Sequence, residues 1–533
     1  MGRLGAPVGF SRPARLARLT QRSGRATLGR LPLTADVIAG VSVALILVPQ
    51  SLAYAQVAGM PPIRGLYAAA LPPIAAAIFA SSPYLQTGPV AMTALLAFGV
   101  LSAQATPGSD EYIQLGILLA LVVGIARFAL GLLRGGVVAY LMSQPLLMGF
   151  VPAAAILIIA TQLPTALGVS PPGGGVFEEA ARSLAHPGDW EITSLVLALL
   201  VVPLILLGPR LYRLFPGVLV AVAAAIAFSL ASGYRGPTVG EIPAGLPPFG
   251  LDVSWGALPA LLVGGAVIAL VGFAEPSSIA RTFATADRQR WNADRELVSQ
   301  GSANIVAAVS GGFPVGGSFS RSALNRQAGA RTRWSGAITG AVVLAFLPFA
   351  GSLESLPRAV LGAIVIGAVL PLVRLPPLLR LWRHSKPQFA VAWATFGLTL
   401  GLAPDIQWAV VAGIGLAIAV HLARELSLDI EVEDVAGTLH LRPIGVLWFG
   451  SANVLENAFV DILAKHRDAE RLLIHLGGVG RVDLSGALVL RRLVQQARSS
   501  GLEVELANVP PRARRWVASL IEPAIDPFDS PRG

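Results

Sequence analysis

The sequence predicts an all-α polytopic membrane domain of fourteen spans followed by a small cytoplasmic α/β domain. Three observations carry this prediction. Hydrophobic residues make up 54% of the 533 and charged residues 13%, where a soluble chain carries about 25% charged residues. Apolar runs of about 15–25 residues, the length that crosses a hydrocarbon core, recur from Asp36 onward. After Glu425 the pattern changes to short strands alternating with helices of ordinary polarity.

Residues 1–34 form a basic tail, with Arg3, Arg12, Arg15, Arg18, Arg22, Arg25 and Arg30 and no acid. The tail lacks the apolar stretch and small-residue cleavage site of a secretory signal. The membrane domain is expected over 35–425. Its spans fall near 36–57, 64–80, 88–104, 112–133, 138–165, 190–208, 214–233, 258–282, 295–311, 317–329, 334–351, 358–373, 387–402 and 405–424, of which 88–104 and 317–329 are short and broken.

Loop charge supports this count. With the tail in the cytoplasm, the even-numbered connections are inside. They hold Arg134, Arg210, Arg213, Arg281, Arg288, Arg290, Arg295, Arg331, Arg333, Arg374, Arg380, Arg383 and Lys386. The odd ones mix Arg64, Arg182, Arg235 and Arg358 with acids such as Asp110, Glu111, Glu178, Glu179 and Asp189. That asymmetry places both termini in the cytoplasm. It also gives the net charge of +10 a bland cause, loop bases facing the cytoplasm, and leaves no case for a nucleic-acid partner. Residues 1–425 hold 28 bases and 16 acids, +12, and 426–533 hold 12 and 14, −2.

The α/β domain is expected over 428–533. Residues 428–435 and 438–446 alternate as strands, 471–475 and 503–507 read as strands, and 451–466, 485–500 and about 511–520 read as helices. Gly477-Gly478-Val479-Gly480 is not followed by a phosphate-binding fingerprint, so no nucleotide cofactor is expected. Zero Cys and six scattered His, with no HxxxH or HExxH pair, leave no metal site. No nucleophile, base and orienting group cluster, which argues against an enzyme.

The membrane part contains an internal echo. Pro49-Gln50-Ser51-Leu52-Ala53 in span 1 aligns with Pro276-Ser277-Ser278-Ile279-Ala280 in span 8. Nearly the same offset brings Gly88-Pro89-Val90 close to Val315-Gly316-Gly317. Two halves of seven spans have inverted topology, and paired Gly/Pro-broken segments in such halves mark a transporter site at the midplane. Helices that begin there, after Gly88-Pro89 and Gly316-Gly317, point positive ends and free N–H groups at a cavity. Span 10 adds Ser318, Ser320 and Arg321, and a guanidinium fork suits carboxylate, sulfate or bicarbonate. The bland alternative is glycines for close packing and an Arg321 that snorkels to water. Glu275 follows the apolar run Gly264–Ala274, where an acid is costly and functional by default. Pro276 is expected to break that helix. A carboxyl there can couple a proton to an anion. A static Glu275–Arg321 ion pair is the other reading.

These residues resemble a known family. Asp36–Gly40 (DVIAG), Pro49–Ala55 (PQSLAYA), Ala58–Pro62 (AGMPP), Gly65–Tyr67 (GLY) and Gly88–Ala91 (GPVA) resemble the signature of the SulP family of sulfate permeases and anion exchangers. In the second half Glu296-Leu297, Gln300-Gly301, Ala303–Ile305, Gly311–Pro314, Ser320–Ser322 and Gly329–Thr332 agree. The C-terminal segment resembles that family's STAS domain, with Asp483–Gly486 (DLSG) at its DxSG loop. The resemblance implies fourteen spans in core and gate subdomains, a seven-plus-seven inverted repeat, a dimer and elevator-like alternating access. It implies an anion site between spans 3 and 10, lined by Gln50 and Tyr54, by Val90, and by Ser320 and Arg321. Gly88, Gly317, Ser318 and Phe319 complete the expected substrate-binding set. The span 8 acid, Glu275, is associated with proton coupling. Sodium-dependent bicarbonate members carry Asp with a nearby Thr where this chain has Glu275 and Ser278-Ile279, which favours protons. The absence of Phe at Val90 weakens a chloride-channel or exchanger reading. In related soluble regulators the serine matching Ser485 is phosphorylated, and the alternative is that Asp483 and Ser485 cap the helix.

The expected function is secondary active, proton-coupled uptake of an inorganic anion, with sulfate leading and no cofactor. The same site fits bicarbonate, a C4-dicarboxylate or chloride, by transport or exchange, or a passive anion channel. A membrane-anchored regulator is the reading from another class. Of 40 bases 38 are Arg, which suits a GC-rich bacterium and its inner membrane.

Overall fold

The computed structural model describes residues 33–516, apart from 141, 142, 172, 212–214, 244 and 436, together with 519. The arginine tail, Arg213 and the expected helix end at 520 lie outside the described residues. The chain divides into two compact units, the boundary falling after Ile414.

The first unit is helical. Its first half contains α1 (Thr34–Val57), α2 (Pro62–Phe79), β1 (Gln86–Gly88), α3 (Ala91–Ser102), α4 (Asp110–Leu132), α5 (Gln144–Leu167), α6 (Val176–Ala185), α7 (Ile192–Leu211) and α8 (Gly217–Ser232). Its second half contains α9 (Leu258–Ala286), α10 (Ala293–Val309), β2 (Gly316–Ser318), α11 (Phe319–Gln327), α12 (Trp334–Phe346), α13 (Arg358–Val369), α14 (Leu375–His384), α15 (Lys386–Gly401) and α16 (Ile406–Leu426), which runs on into the second unit. The same order of helices and strands runs twice. A helix falls on every apolar stretch read from the sequence. Among the described residues, eight helical segments are long and apolar enough to cross a membrane.

Packing sorts these helices into two groups. α10 lies along α4 and α2, α12 lies on α1 and α2, and α9 packs on α4 and α3. α5 packs with α13 and α15, and α13 with α7. Small residues permit the close α4–α10 approach. A Cβ on Gly124 would lie 2.6 Å from the Ile305 nitrogen, and one on Gly301 would lie 2.4 Å from the Phe128 nitrogen.

Two sequence expectations need correction. α9 runs unbroken through Pro276. One missing N–H costs a single helical bond, the one to Gly272 O, and a membrane helix packed among others tolerates that loss. The amphipathic α6 and α14 were not foreseen, because short helices that carry charge escape a search for apolar runs.

The second unit has a sheet ordered β3 (Asp429–Val435), β4 (Thr438–Leu447), β5 (Arg471–His475), β7 (Glu503–Ala507), with β6 (Val479–Val482) paired to β4. β3 is antiparallel to β4, and the other pairings are parallel. α17 (Ala452–Lys465), α18 (Leu484–Ser499) and α19 (Pro511–Trp516) complete it. Leu439 and Leu441 of β4 join Leu472 and Ile474 in a core with Leu455, Phe459, Leu490 and Leu493 from the helices. The edge strand β3 is almost wholly exposed and carries Asp429, Glu431, Glu433 and Asp434, which discourages pairing with another sheet.

Buried Asp36 ties the start of α1 to the loop before α12. Its Oδ1 accepts from Arg331 N at 2.7 Å and Thr332 N at 2.9 Å. Its Oδ2 accepts from Thr332 Oγ1 at 2.8 Å and Leu33 N at 3.0 Å. Asp36→Ala strands four donors at once. The loss expected is about 3 kcal/mol, read as a lower thermal midpoint in detergent, with Thr332→Val losing less.

Candidate functional site

β1 and β2 form an antiparallel pair, with Gln86 opposite Ser318, Thr87 opposite Gly317 and Gly88 opposite Gly316. Each leads into a helix. Val90 is the N-cap of α3 and Ser318 the N-cap of α11, so two helix N-termini open from one link. The helices begin two or three residues later than read from sequence, because 86–88 and 316–318 are drawn into the extended pair. Gly88 sits at φ +152°, a conformation side chains disfavour, and a Cβ there would lie 3.5 Å from Arg321 Nη2.

Polar backbone in an apolar interior needs partners, and side chains supply them. Asn304 of α10 takes both groups of Val315: its Oδ1 accepts from Val315 N at 2.9 Å, and its Nδ2 donates to Val315 O at 3.0 Å. Arg127 Nη1 of α4 donates to the same carbonyl at 3.0 Å. Gln86 N donates to Ser322 Oγ at 2.9 Å, and Gln300 Nε2 donates to Thr87 Oγ1 at 2.8 Å.

Arg321 is 1% exposed, so it does not snorkel. Its Nη1 lies 3.5 Å from Gln50 Oε1, a weak contact, while Nε and Nη2 make no hydrogen bond within the protein. Glu275 Oε1 accepts from Phe319 N at 3.3 Å, at the start of α11. No ion pair within 4.0 Å joins Glu275 to Arg321. Tyr54 is buried within electrostatic reach of both. Val90 is buried, its Cγ2 standing 3.2 Å from where a Gly316 Cβ would be.

The structure thus gathers Gln50, Tyr54, Gly88, Val90, Gly317, Ser318, Glu275 and Arg321 around the crossing. Ser318 Oγ lies 3.3 Å from Ser320 Oγ. Ser320 is exposed, and the Phe319 ring is 54% exposed and stacks on Phe283 at 6.3 Å. Phe319 therefore meets Glu275 through its N–H while its ring packs elsewhere. Sequence reasoning missed Arg127, whose one signal was a lone arginine well inside the run 112–133, and gave Gln300, Asn304 and Ser322 no role beyond the motif. In the second unit Asp483 Oδ1 caps α18 by accepting from Gly486 N at 2.7 Å. Ser485 is exposed in the first turn. No group of three or more His, Asp or Glu side chains among the described residues could hold a metal ion.

A buried guanidinium with two unpaired donor nitrogens, in the first turn of α11 and close to Gly88 ahead of α3, has the chemistry to hold an anion, to which each helix N-terminus adds about half a positive charge. Residues 33–395 match the Sulfate permease family. The chain belongs to that family. In this sulfate permease family member a STAS domain follows at 429–522. A probable sulfate transporter of Mycobacterium tuberculosis is 37% identical over 397 residues, 74% of this chain and 70% of the relative. A chloroplastic sulfate transporter of Arabidopsis thaliana is 34% identical over 511 residues, 89% of this chain and 75% of the relative. The fold matches that of the murine Slc26a9 anion transporter, solved in its inward-facing state, with a TM-score of 0.80 at 20% identity, over 95% of this chain and 94% of that one. It also matches the transmembrane domain of a cyanobacterial bicarbonate transporter, with a TM-score of 0.62 at 25% identity, over 72% of this chain and 97% of that one.

Gly317 leaves no space for a side chain: a Cβ would meet Leu85 Cδ1 at 2.8 Å and Pro276 Cβ at 3.1 Å. Gly317→Ala is expected to push β2 off α9 and cut anion binding at least tenfold, measured by sulfate binding to protein that still inserts.

Proposed function

We propose that this chain is a secondary active transporter that takes up an inorganic anion together with a proton, sulfate being the favoured substrate. One observation carries the reading: Arg321 is buried without a carboxylate partner and keeps two donor nitrogens unpaired beside two helix N-termini. The relatives named as sulfate transporters support sulfate. The substrate-binding set is Gln50, Tyr54, Gly88, Val90, Gly317, Ser318, Phe319 (through its N–H), Ser320 and Arg321, and Glu275 is the proton-coupling group.

The fuller reading has fourteen crossings over 35–425 in two inverted halves of seven, supported by the repeated element order. The α1–α4 and α9–α12 group forms the core that carries the site, and α5–α8 with α13–α16 forms the gate against which it slides. The two packing groups support that division. The basic tail and the STAS domain over 428–533 face the cytoplasm of a bacterial inner membrane, and the transporter is a homodimer. The passive channel is disfavoured, since it relied on a fixed Glu275–Arg321 ion pair that this structure does not contain. Bicarbonate keeps a claim, because a bicarbonate transporter shares the membrane fold.

Reconstitution tests this directly, with tracer exchange of sulfate, bicarbonate, chloride and a C4-dicarboxylate, with and without a pH gradient. Arg321→Ala is expected to cut uptake about a hundredfold, by truncation of a buried charge contact. Arg321→Lys is expected to do poorly too, since a point charge does not reproduce the fork. Wild-type uptake in Arg321→Ala would place the anion elsewhere.

Glu275→Gln tests the coupling. The amide mimics the protonated carboxyl permanently, so anion–anion exchange is expected to survive while accumulation driven by a pH gradient disappears. Tracer exchange and gradient-driven accumulation in the same liposomes decide it. A glutamine variant that accumulates anion like the wild type would remove Glu275 from the coupling step.

A further inference from the structure

Arg127 lies wholly inside the membrane unit, with no exposure. Its fork donates to three carbonyls: Nη2 to Ile268 O at 2.8 Å, Nε to Ala269 O at 3.0 Å and Nη1 to Val315 O at 3.0 Å. These acceptors give each of its three nitrogens a partner and bring no opposite formal charge. It forms no ion pair within 4.0 Å with any described carboxylate. A guanidinium does not deprotonate in proteins, so the charge stays. Arg326 and Glu296, by contrast, have charged company: Arg326 pairs with Asp287, and Glu296 lies beside Arg295 and Arg333.

Bracing alone does not call for a cation. Asn304, which is neutral, already holds both polar groups of Val315. The guanidinium also needs room that α9 supplies, since a Cβ on Gly272 would come within 2.4 Å of Nη2. An unmatched buried charge is expensive, and within a membrane it is functional by default.

Its position says what it acts on. Val315 adjoins Gly316, which faces Gly88, and a Gly88 Cβ would lie 3.5 Å from Arg321 Nη2. Arg127 is thus linked to Arg321 through Val315, Gly316 and Gly88, which across one strand spacing of about 4.8 Å puts the two guanidinium groups on the order of 10 Å apart. That is too far for contact and close enough for Coulomb attraction in a medium of low dielectric.

We propose that Arg127 is a specificity-determining residue of the anion site, whose buried charge favours divalent over monovalent anions. This rests on the reading above that the anion binds at Arg321. With Glu275 ionised, Arg127, Arg321 and Glu275 sum to +1, the match of a monovalent anion. With Glu275 protonated they sum to +2, the match of a divalent one. A proton and a divalent anion thus arrive as charge-balanced companions, and without Arg127 the protonated site suits a monovalent anion.

A charge acting through space shifts affinity in proportion to the anion's own charge. The loss for a divalent anion is then the square of that for a monovalent one, whereas a distorted site loses both by similar factors. Full-length protein in proteoliposomes is titrated with sulfate and with nitrate as probes. Arg127→Gln is expected to weaken nitrate roughly tenfold and sulfate roughly a hundredfold, at an effective dielectric of about 20. Arg127→Lys, which keeps the charge and loses the fork, is expected to preserve the wild-type sulfate-to-nitrate ratio even if both affinities fall. Equal losses for the two anions in Arg127→Gln, no loss at all, or a ratio lost in Arg127→Lys overturns the proposal. Where the glutamine variant does not insert, the lysine ratio alone decides. Arg321→Ala runs beside them: unchanged binding of both anions there defeats the site reading itself, whatever the Arg127 ratio shows.

Discussion

The antiparallel pairing of Gln86–Gly88 with Gly316–Ser318 is the contact on which the membrane unit depends. Two extended stretches meet within an apolar fold, where every freed N–H and C=O must find a partner. Pairing satisfies some of them. The rest fix the identity of side chains on three helices, Asn304 on α10, Ser322 on α11 and Arg127 on α4, and Gln300 on α10 holds the Thr87 hydroxyl beside them. The same pairing decides where α3 and α11 begin. Their positive ends, and the Phe319 N–H that meets Glu275, follow from it.

Much of the fold was legible because span length and loop charge are long-range, additive signals. A helix lies on each apolar stretch, and the boundaries of β5 and β7 agree with the sequence to the residue. The unread parts are those where chain partners override local pattern. Strands of three residues carry no periodicity, so the spans read from the sequence begin at Gly88 and Gly317, inside the extended pair. Pro276 looked like a break, because the sequence does not show the neighbours that hold α9 through it. The site was legible in its charges, since Glu275 and Arg321 are out of place in apolar surroundings. Its bracing was not: Gln300 and Asn304 are ordinary polar residues until the fold brings them to Thr87 and Val315.

Arg321 and Glu275 lie close together without pairing. A guanidinium taken out of water seeks a carboxylate, and one is near at hand on α9. The fold gives that carboxylate the Phe319 N–H instead and leaves the guanidinium with a single weak protein contact to Gln50. An ion pair would have been the more stable local arrangement, and it would also have filled the place an anion needs. Holding the two apart leaves both groups open, as the proposed uptake of an anion with a proton requires.

The last constraint is one of symmetry. The backbone of the crossing is close to two-fold, with Gly88 opposite Gly316 and helices opening from either side. The chemistry is not. Where α11 places Arg321 in its first turn, α3 places Thr93, buried and without a hydrogen-bond partner in the protein. Where α9 carries Glu275, the aligned turn of α1 carries Val48 before its proline. At the crossing the second half thus supplies Glu275 and Arg321, and the first half supplies an amide, a phenol and an apolar wall in Gln50, Tyr54 and Val90, with the Arg127 cation of α4 set back against the Val315 carbonyl. Two equal halves would place like charges face to face and repel each other across the strands. A repeated scaffold with Arg321 and Glu275 on one side only avoids that face-to-face repulsion and, under the function proposed above, leaves the two positive helix ends to a single anion.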